Sequence, residues 1–128
     1  LVMEAKSVIT RPSGRQHIQP GYHEIQGLAW SGHGRVAKVE VSVDGGGMWQ
    51  EAQLQEPVLP KCHTRFRFPW RWNGQETILQ SRCVDQTNYV QPSRQELVKV
   101  RGTNSLYHYN AIQSWRVERD GRIRNIYA

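Results

Sequence analysis

The sequence predicts an all-β sandwich, and three observations carry that expectation. Apolar and polar residues alternate with a period of two, as in R-V-A-K-V-E-V-S-V and H-T-R-F-R-F-P-W. Long helical periodicity is nearly absent. Short apolar runs are separated by Gly, Pro, Asn and Asp at close intervals, the punctuation of antiparallel strands rather than of alternating strands and helices.

The elements follow in chain order. S-V-I-T near the start is a first strand, and Y-H-E-I-Q-G-L-A-W (22 to 30) is a second, entered through Pro20-Gly21. In the third, Ala37, Val39, Val41 and Val43 share one face while Lys38, Glu40 and Ser42 share the other, which predicts a strand with one buried side. Asp44 to Gly47 reads as a hairpin turn, and W-Q-E-A-Q-L (49 to 54) as the strand after it. Next, Phe66 and Phe68 oppose Arg65 and Arg67. Asn73-Gly74, suited to positive φ, then leads into T-I-L-Q-S-R-C-V-D. E-L-V-K-V (96 to 100) is a further strand, and W-R-V-E-R-D-G-R-I-R-N-I is a hairpin around Asp120-Gly121. The expected division is a sandwich over 1–102 and a tail over 103–128, the tail packing on the domain or on a partner.

At 128 residues the chain has the size of one domain with its own core. It contains no run of about 18 apolar residues, so no membrane partner is expected. The Leu1 start, without the zones of a secretory signal, suggests processing or excision from a longer chain whose upstream part could hold an active site. Seventeen Lys and Arg against eleven Asp and Glu give a net charge of +6, which attracts anions of any kind. Cys62 and Cys83 form no C-x-x-C, so zinc ribbon, thioredoxin motif and covalent haem are not indicated.

Chemistry within the chain finds little support. There is no G-x-S-x-G elbow, and Ser31 beside His33 is a loop pair rather than a catalytic one. His17, His23, His33, His63 and His108 are scattered singly, without the paired spacing of a zinc site. No metal ligand and no catalytic residue are therefore expected here. Arg65, Arg67 and Arg71 interleave with Phe66, Phe68, Trp70 and Trp72, which could be a basic and aromatic nucleic-acid face. The simpler reading is a strand with aromatics inward and guanidiniums in solvent. A carbohydrate-binding sandwich with exposed Trp platforms is a further alternative. S-V-D-G-G-G-M-W resembles the Asp-box of sialidase-type propellers, where it is a structural turn, but it occurs once and propellers need repetition. S-G-H-G-R precedes a strand, whereas nucleotide cradles precede a helix, so it is not a phosphate loop. It can project His33 and Arg35 towards an anion.

Four ordered motifs then converge: G-x-A-W-S-G-x-G-R, V-x-V-S-x-D-G-G-x-x-W, T-R-F-x-x-x-W and S-R-x-x-D-x-x-x-x-V-Q-P. Together they resemble the C-terminal dimerisation domain of the sulfite oxidase family of molybdenum enzymes. Within it, A-K-S-V-I-T-R-P-S-G, Q-E-P-V-L-P-K-C-H-T-R-F and R-G-T-N-S-L-Y-H-Y-N-A-I-Q-S-W resemble the molybdenum subunit of sulfane (sulfite) dehydrogenases of the thiosulfate-oxidising Sox pathway.

The resemblance implies an immunoglobulin-like (E-set) sandwich of about seven or eight strands, following an upstream domain that holds molybdenum-molybdopterin through its own cysteine. Cys62 and Cys83 are not carried over as ligands, and are either buried thiols or, if their Cβ atoms meet, a disulfide. Arg35 matches the arginine of the family's G-x-G-R turn, which helps form a positively charged pocket for the oxyanion substrate, with His33 a weaker neighbour. Further implied are oxidation of reduced sulfur compounds, a c-type cytochrome as electron acceptor, a homodimer, a sulfur-carrier protein as partner and a periplasmic location. Tyr107, Tyr109 and Trp115 are the interface candidates. Nucleic acid is not an expected partner.

Overall fold

In the computed structural model, residues 5–14, 16–31, 35–56, 63–86, 90–91 and 112–126 are described. They form nine strands: β1 Lys6–Arg11, β2 Gly21–Trp30, β3 Val36–Ser42, β4 Gln50–Glu51, β5 Gln53–Leu54, β6 Thr64–Trp72, β7 Thr77–Asp85, β8 Ser114–Val117 and β9 Ile123–Ile126. Two antiparallel sheets result, one ordered β1-β2-β6-β5 and the other β4-β3-β7-β8-β9. No helix occurs among the described residues. This is an immunoglobulin-like β-sandwich, as expected.

Alternation explains what lies between the sheets. Ile25, Ala29, Phe66, Trp70 and Trp72 face inward from the four-stranded sheet, and Val39, Val41, Leu79, Cys83, Val117 and Ile123 from the other. Along β6 every even-numbered residue from Thr64 to Trp72 except Phe68 is buried and Phe68 is half-buried, while Arg65, Arg67, Pro69 and Arg71 are exposed. The aromatics are therefore core, and the guanidiniums lie in solvent. The strand at 49 to 54 is broken. Gln50–Glu51 pair with β3, Gln53–Leu54 pair with β6, and buried Ala52 between them donates its N–H to the Val39 carbonyl at 2.8 Å. One chain segment thus switches sheets and closes that edge of the sandwich.

β3 departs from the expected pattern at its start. Its pairing with β7 shifts between Val36 and Lys38, so the extra residue turns Ala37 into solvent and Val36 takes the buried position. A bulge of this kind re-aims side chains locally, which strict alternation cannot foresee. The turn after β3 is built as expected for Asp44 to Gly47, with detail that alternation does not supply. Gly45 and Gly46 have φ of 77° and 97°, and the Asp44 carboxylate accepts from the Ser42 hydroxyl at 2.7 Å and the Met48 N–H at 3.0 Å. These bonds hold the Asp44 carboxyl below its ordinary pKa. Trp49 packs on the outer face of its sheet, with the Arg82 guanidinium 4.2 Å above its ring and Arg82 Nε 2.8 Å from Glu40 Oε1.

The hairpin around Asp120-Gly121 joins the five-stranded sheet directly, with Ser114 opposite Gln80 and Val117 opposite Thr77. Within the expected 103–128 tail, residues 114–126 therefore carry two strands of the sandwich itself. The other expected strand, 96 to 100, lies outside the described residues.

A candidate anion site at one end of the sandwich

β2 and β7 end together, and the chain between β2 and β3 starts and finishes against the last residues of β7. Ser31, which follows β2, is buried and its hydroxyl donates to Asp85 Oδ2 at 2.9 Å. Asp85 closes β7 and is fully buried. Four residues beyond Ser31, the Arg35 N–H donates to Gln86 Oε1 at 2.9 Å, and the Gln86 N–H donates back to the Arg35 carbonyl at 2.9 Å. The Arg35 side chain is exposed, and it makes no ion pair among the described residues. A guanidinium whose backbone is held and whose donors face solvent can bind an oxyanion with two parallel hydrogen bonds.

The surroundings are mostly structural. The Trp30 and His63 rings lie 4.8 Å apart, tilted by 42°. Gln91 is buried between β1 and β7, and its Oε1 accepts from the Ser7 N–H at 2.9 Å, the Ser7 hydroxyl at 2.8 Å and the Cys83 N–H at 3.2 Å. Cys83 is a free, buried thiol, so for this residue the buried-thiol alternative holds rather than a disulfide. Burial first, and the negative charge of Asp85 second, push it up to about 12 from its ordinary 9.0. Folding raises this pKa, so the contribution to stability is complete below about pH 9 and is lost as pH rises towards 12. In a Cys62→Ser background, the native chain should not react with Ellman's reagent at pH ~8, and a single thiol should appear on unfolding. Prompt reaction of the native chain would contradict the burial.

Of the candidates raised from sequence, Arg35 lies at this end of the sandwich. His33, Tyr107 and Tyr109 lie outside the described residues, as does Cys62. Trp115 is half-buried and packs against the domain's own core, leaving only part of its ring for a partner. Gln86 escaped sequence reasoning, because it stands 51 positions from Arg35 and in an unspecified position of the S-R-x-x-D-x-x-x-x-V-Q-P motif. The alternatives lose ground for physical reasons. Trp70 and Trp72 are buried, Trp30, Trp49 and Trp115 are half-buried, and none of the five tryptophans presents a fully open ring as a stacking platform for a glycan or a base. Tyr22 is exposed, with the Arg71 guanidinium 5.3 Å from its ring centroid on one face. A groove of about 770 Å³ on the outer face of the four-stranded sheet includes Gln26, Leu28, Gln53, Arg65 and Arg67 in its lining, but not Arg35. No group of three or more His, Cys, Asp or Glu that could hold a metal occurs among the described residues. No described helix is long and apolar enough to cross a membrane.

In class, the described residues define an immunoglobulin-like sandwich that presents an arginine on a held backbone at one end. The Mo-co oxidoreductase dimerisation domain model matches residues 1–115, and the chain belongs to that family. It is 39% identical to mitochondrial sulfite oxidase of Mus musculus over 95 residues, covering 68% of this chain and 17% of that protein. With sulfite oxidase of Arabidopsis thaliana it shares 33% over 116 residues, 80% of this chain and 30% of that protein. The crystal structure of the sulfane dehydrogenase SoxCD from Paracoccus pantotrophus superposes with a TM-score of 0.94 and 48% identity, over 98% of this chain and 33% of that one. The chain thus spans a third or less of the length of these relatives.

Proposed function

We propose that this domain completes the substrate pocket of a molybdenum-dependent sulfane or sulfite dehydrogenase, with Arg35 as the residue that reaches the substrate. Support comes from one observation above all: Arg35 is exposed at the end of the sandwich while its backbone is fixed on both sides by Gln86. The domain's likeness to the SoxCD chain supports a reduced sulfur compound as the substrate class. Membership of the Mo-co oxidoreductase family supports molybdopterin as the cofactor of the parent enzyme, held by its catalytic domain, which would provide the two-electron redox chemistry. Arg35 acts electrostatically, holding a sulfonate or sulfate oxygen and stabilising the charge that develops on it. His33 stands beside it in the sequence and would add to the positive field when protonated.

The remaining partners belong to the same reading. Two copies would associate through the family's dimerisation function, with Tyr107, Tyr109 and the open part of Trp115 as contributors. Electrons would leave to a c-type cytochrome subunit. The basic surface, with net charge +6, would favour an acidic sulfur-carrier protein as the source of substrate. The periplasm is the setting this implies.

The test is Arg35→Ala in the full enzyme carrying this domain. A fall in kcat/KM of about thirtyfold is expected, shared between a higher KM and a lower kcat, with sulfate weakened as an inhibitor in parallel. Unchanged steady-state kinetics would remove Arg35 from the pocket.

A further inference from the structure

The structure assigns Gln86 as the positioning residue for Arg35, an inference that rests on the pocket role proposed for that arginine. Arg35 stands at the point where the chain enters β3, and backbone pairing gives it one bond there, from the Gln86 N–H to its carbonyl, so its own N–H depends on the Gln86 side chain. The last ladder pair is Val36 opposite Asp85, and the bulge between Val36 and Lys38 breaks the pattern directly afterwards. A bulge lets a strand end twist and re-aims the residues beside it, which would leave the Arg35 peptide free to reorient. Gln86 removes that freedom. Its side-chain Oε1 accepts the Arg35 N–H and its own N–H donates to the Arg35 carbonyl, both at 2.9 Å, so the two polar groups of Arg35's backbone are held by one residue. At the other end of the connection, the Ser31 hydroxyl is tied to Asp85 at 2.9 Å. Two consecutive residues of β7's end therefore anchor both ends of the connection that carries Arg35.

Holding an anion with a long side chain costs the entropy of ordering it. A backbone fixed in advance lowers that cost, and this contribution falls on binding rather than on the chemical step. Gln86 is exposed, so it packs no core and its truncation leaves the fold intact. Asp85, in contrast, is fully buried, and its loss would confound positioning with stability.

The experiment is a double-mutant cycle in the full enzyme with Arg35→Ala, Gln86→Ala and both together. It reads KM and kcat for the sulfur substrate, sulfate affinity by calorimetry, and hydrogen exchange at the Arg35 amide. Gln86→Ala is expected to raise KM and weaken sulfate binding about fivefold with kcat nearly unchanged, and to speed exchange at Arg35 but not in β6 or β7. The double variant should match Arg35→Ala alone, because Gln86 acts through Arg35. Gln86→Leu, which keeps bulk and loses the acceptor, should behave like the alanine variant. If Arg35→Ala is impaired while Gln86→Ala is not, the positioning role fails and the pocket role stands. Full additivity of the two, or impairment by alanine but not by leucine, also overturns the positioning role. If Arg35→Ala is itself unimpaired, the pocket reading fails and this inference with it.

Discussion

Gly27→Ala is expected to destabilise the chain by about 3 kcal/mol, lowering the midpoint of thermal unfolding by roughly 10 °C. Gly27 lies in β2 between Val8 of β1 and Phe66 of β6. A Cβ added there would sit 2.3 Å from the Val8 carbonyl oxygen and 2.3 Å from Phe66 Cζ. The ring could tilt, but the carbonyl belongs to the neighbouring strand and cannot retreat without separating β1 from β2. The residue is glycine because of close approach, as its φ is ordinary for a strand. Truncating the ring should therefore give little relief, so Gly27→Ala with Phe66→Leu should be no more stable than the sum of the two single changes. Urea unfolding of the four proteins measures this. A loss below about 1 kcal/mol for Gly27→Ala would show that β1 moves aside freely.

Gln91→Leu is expected to cost about 4 kcal/mol, from a change that nearly keeps volume and removes the side-chain amide. The Gln91 carbonyl serves three donors at once: the Ser7 N–H, the Ser7 hydroxyl and the Cys83 N–H. The hydroxyl can turn to Ser81 Oγ, 2.9 Å away, but the two backbone donors lose their acceptor in a place water does not reach. Each such donor costs about 1 to 3 kcal/mol. Since Ser7 is in β1 and Cys83 in β7, the same change also loosens the join between the two sheets. Chemical denaturation checks the size, and near-neutrality would show that Ser7 and Cys83 find other partners.

Gln91 and Gly27 both sit in the motifs that carried the family resemblance, and their contacts are structural. In the same motifs Ser42 and Asp44 close a turn, Ser81 and Gln91 join the sheets, and Arg82 packs on Trp49. Sequence recognition thus worked through residues that build the scaffold. Among the described residues of these motifs, Arg35 is exposed beside the end of β7, and its role rests on that position.

What the sequence determined by itself was where most of the described strands run and, for most of their residues, which face is buried. Side chains on a strand alternate strictly, so Arg65 and Arg67 opposite Phe66 and Phe68 specify an inside and an outside with no reference to the rest of the chain. The glycine turn after β3 was equally legible, because its Ser, Asp and Gly act within a few residues of one another. Tertiary structure decided everything that depends on distant partners. It split residues 50 to 54 between two sheets, turned Ala37 outward, placed Trp49 under Arg82, and brought Gln86 to Arg35 across 51 positions. Alternation is a property of one strand, whereas a bulge, a sheet switch or a side-chain latch exists only once another strand lies beside it, and no local pattern records that neighbour.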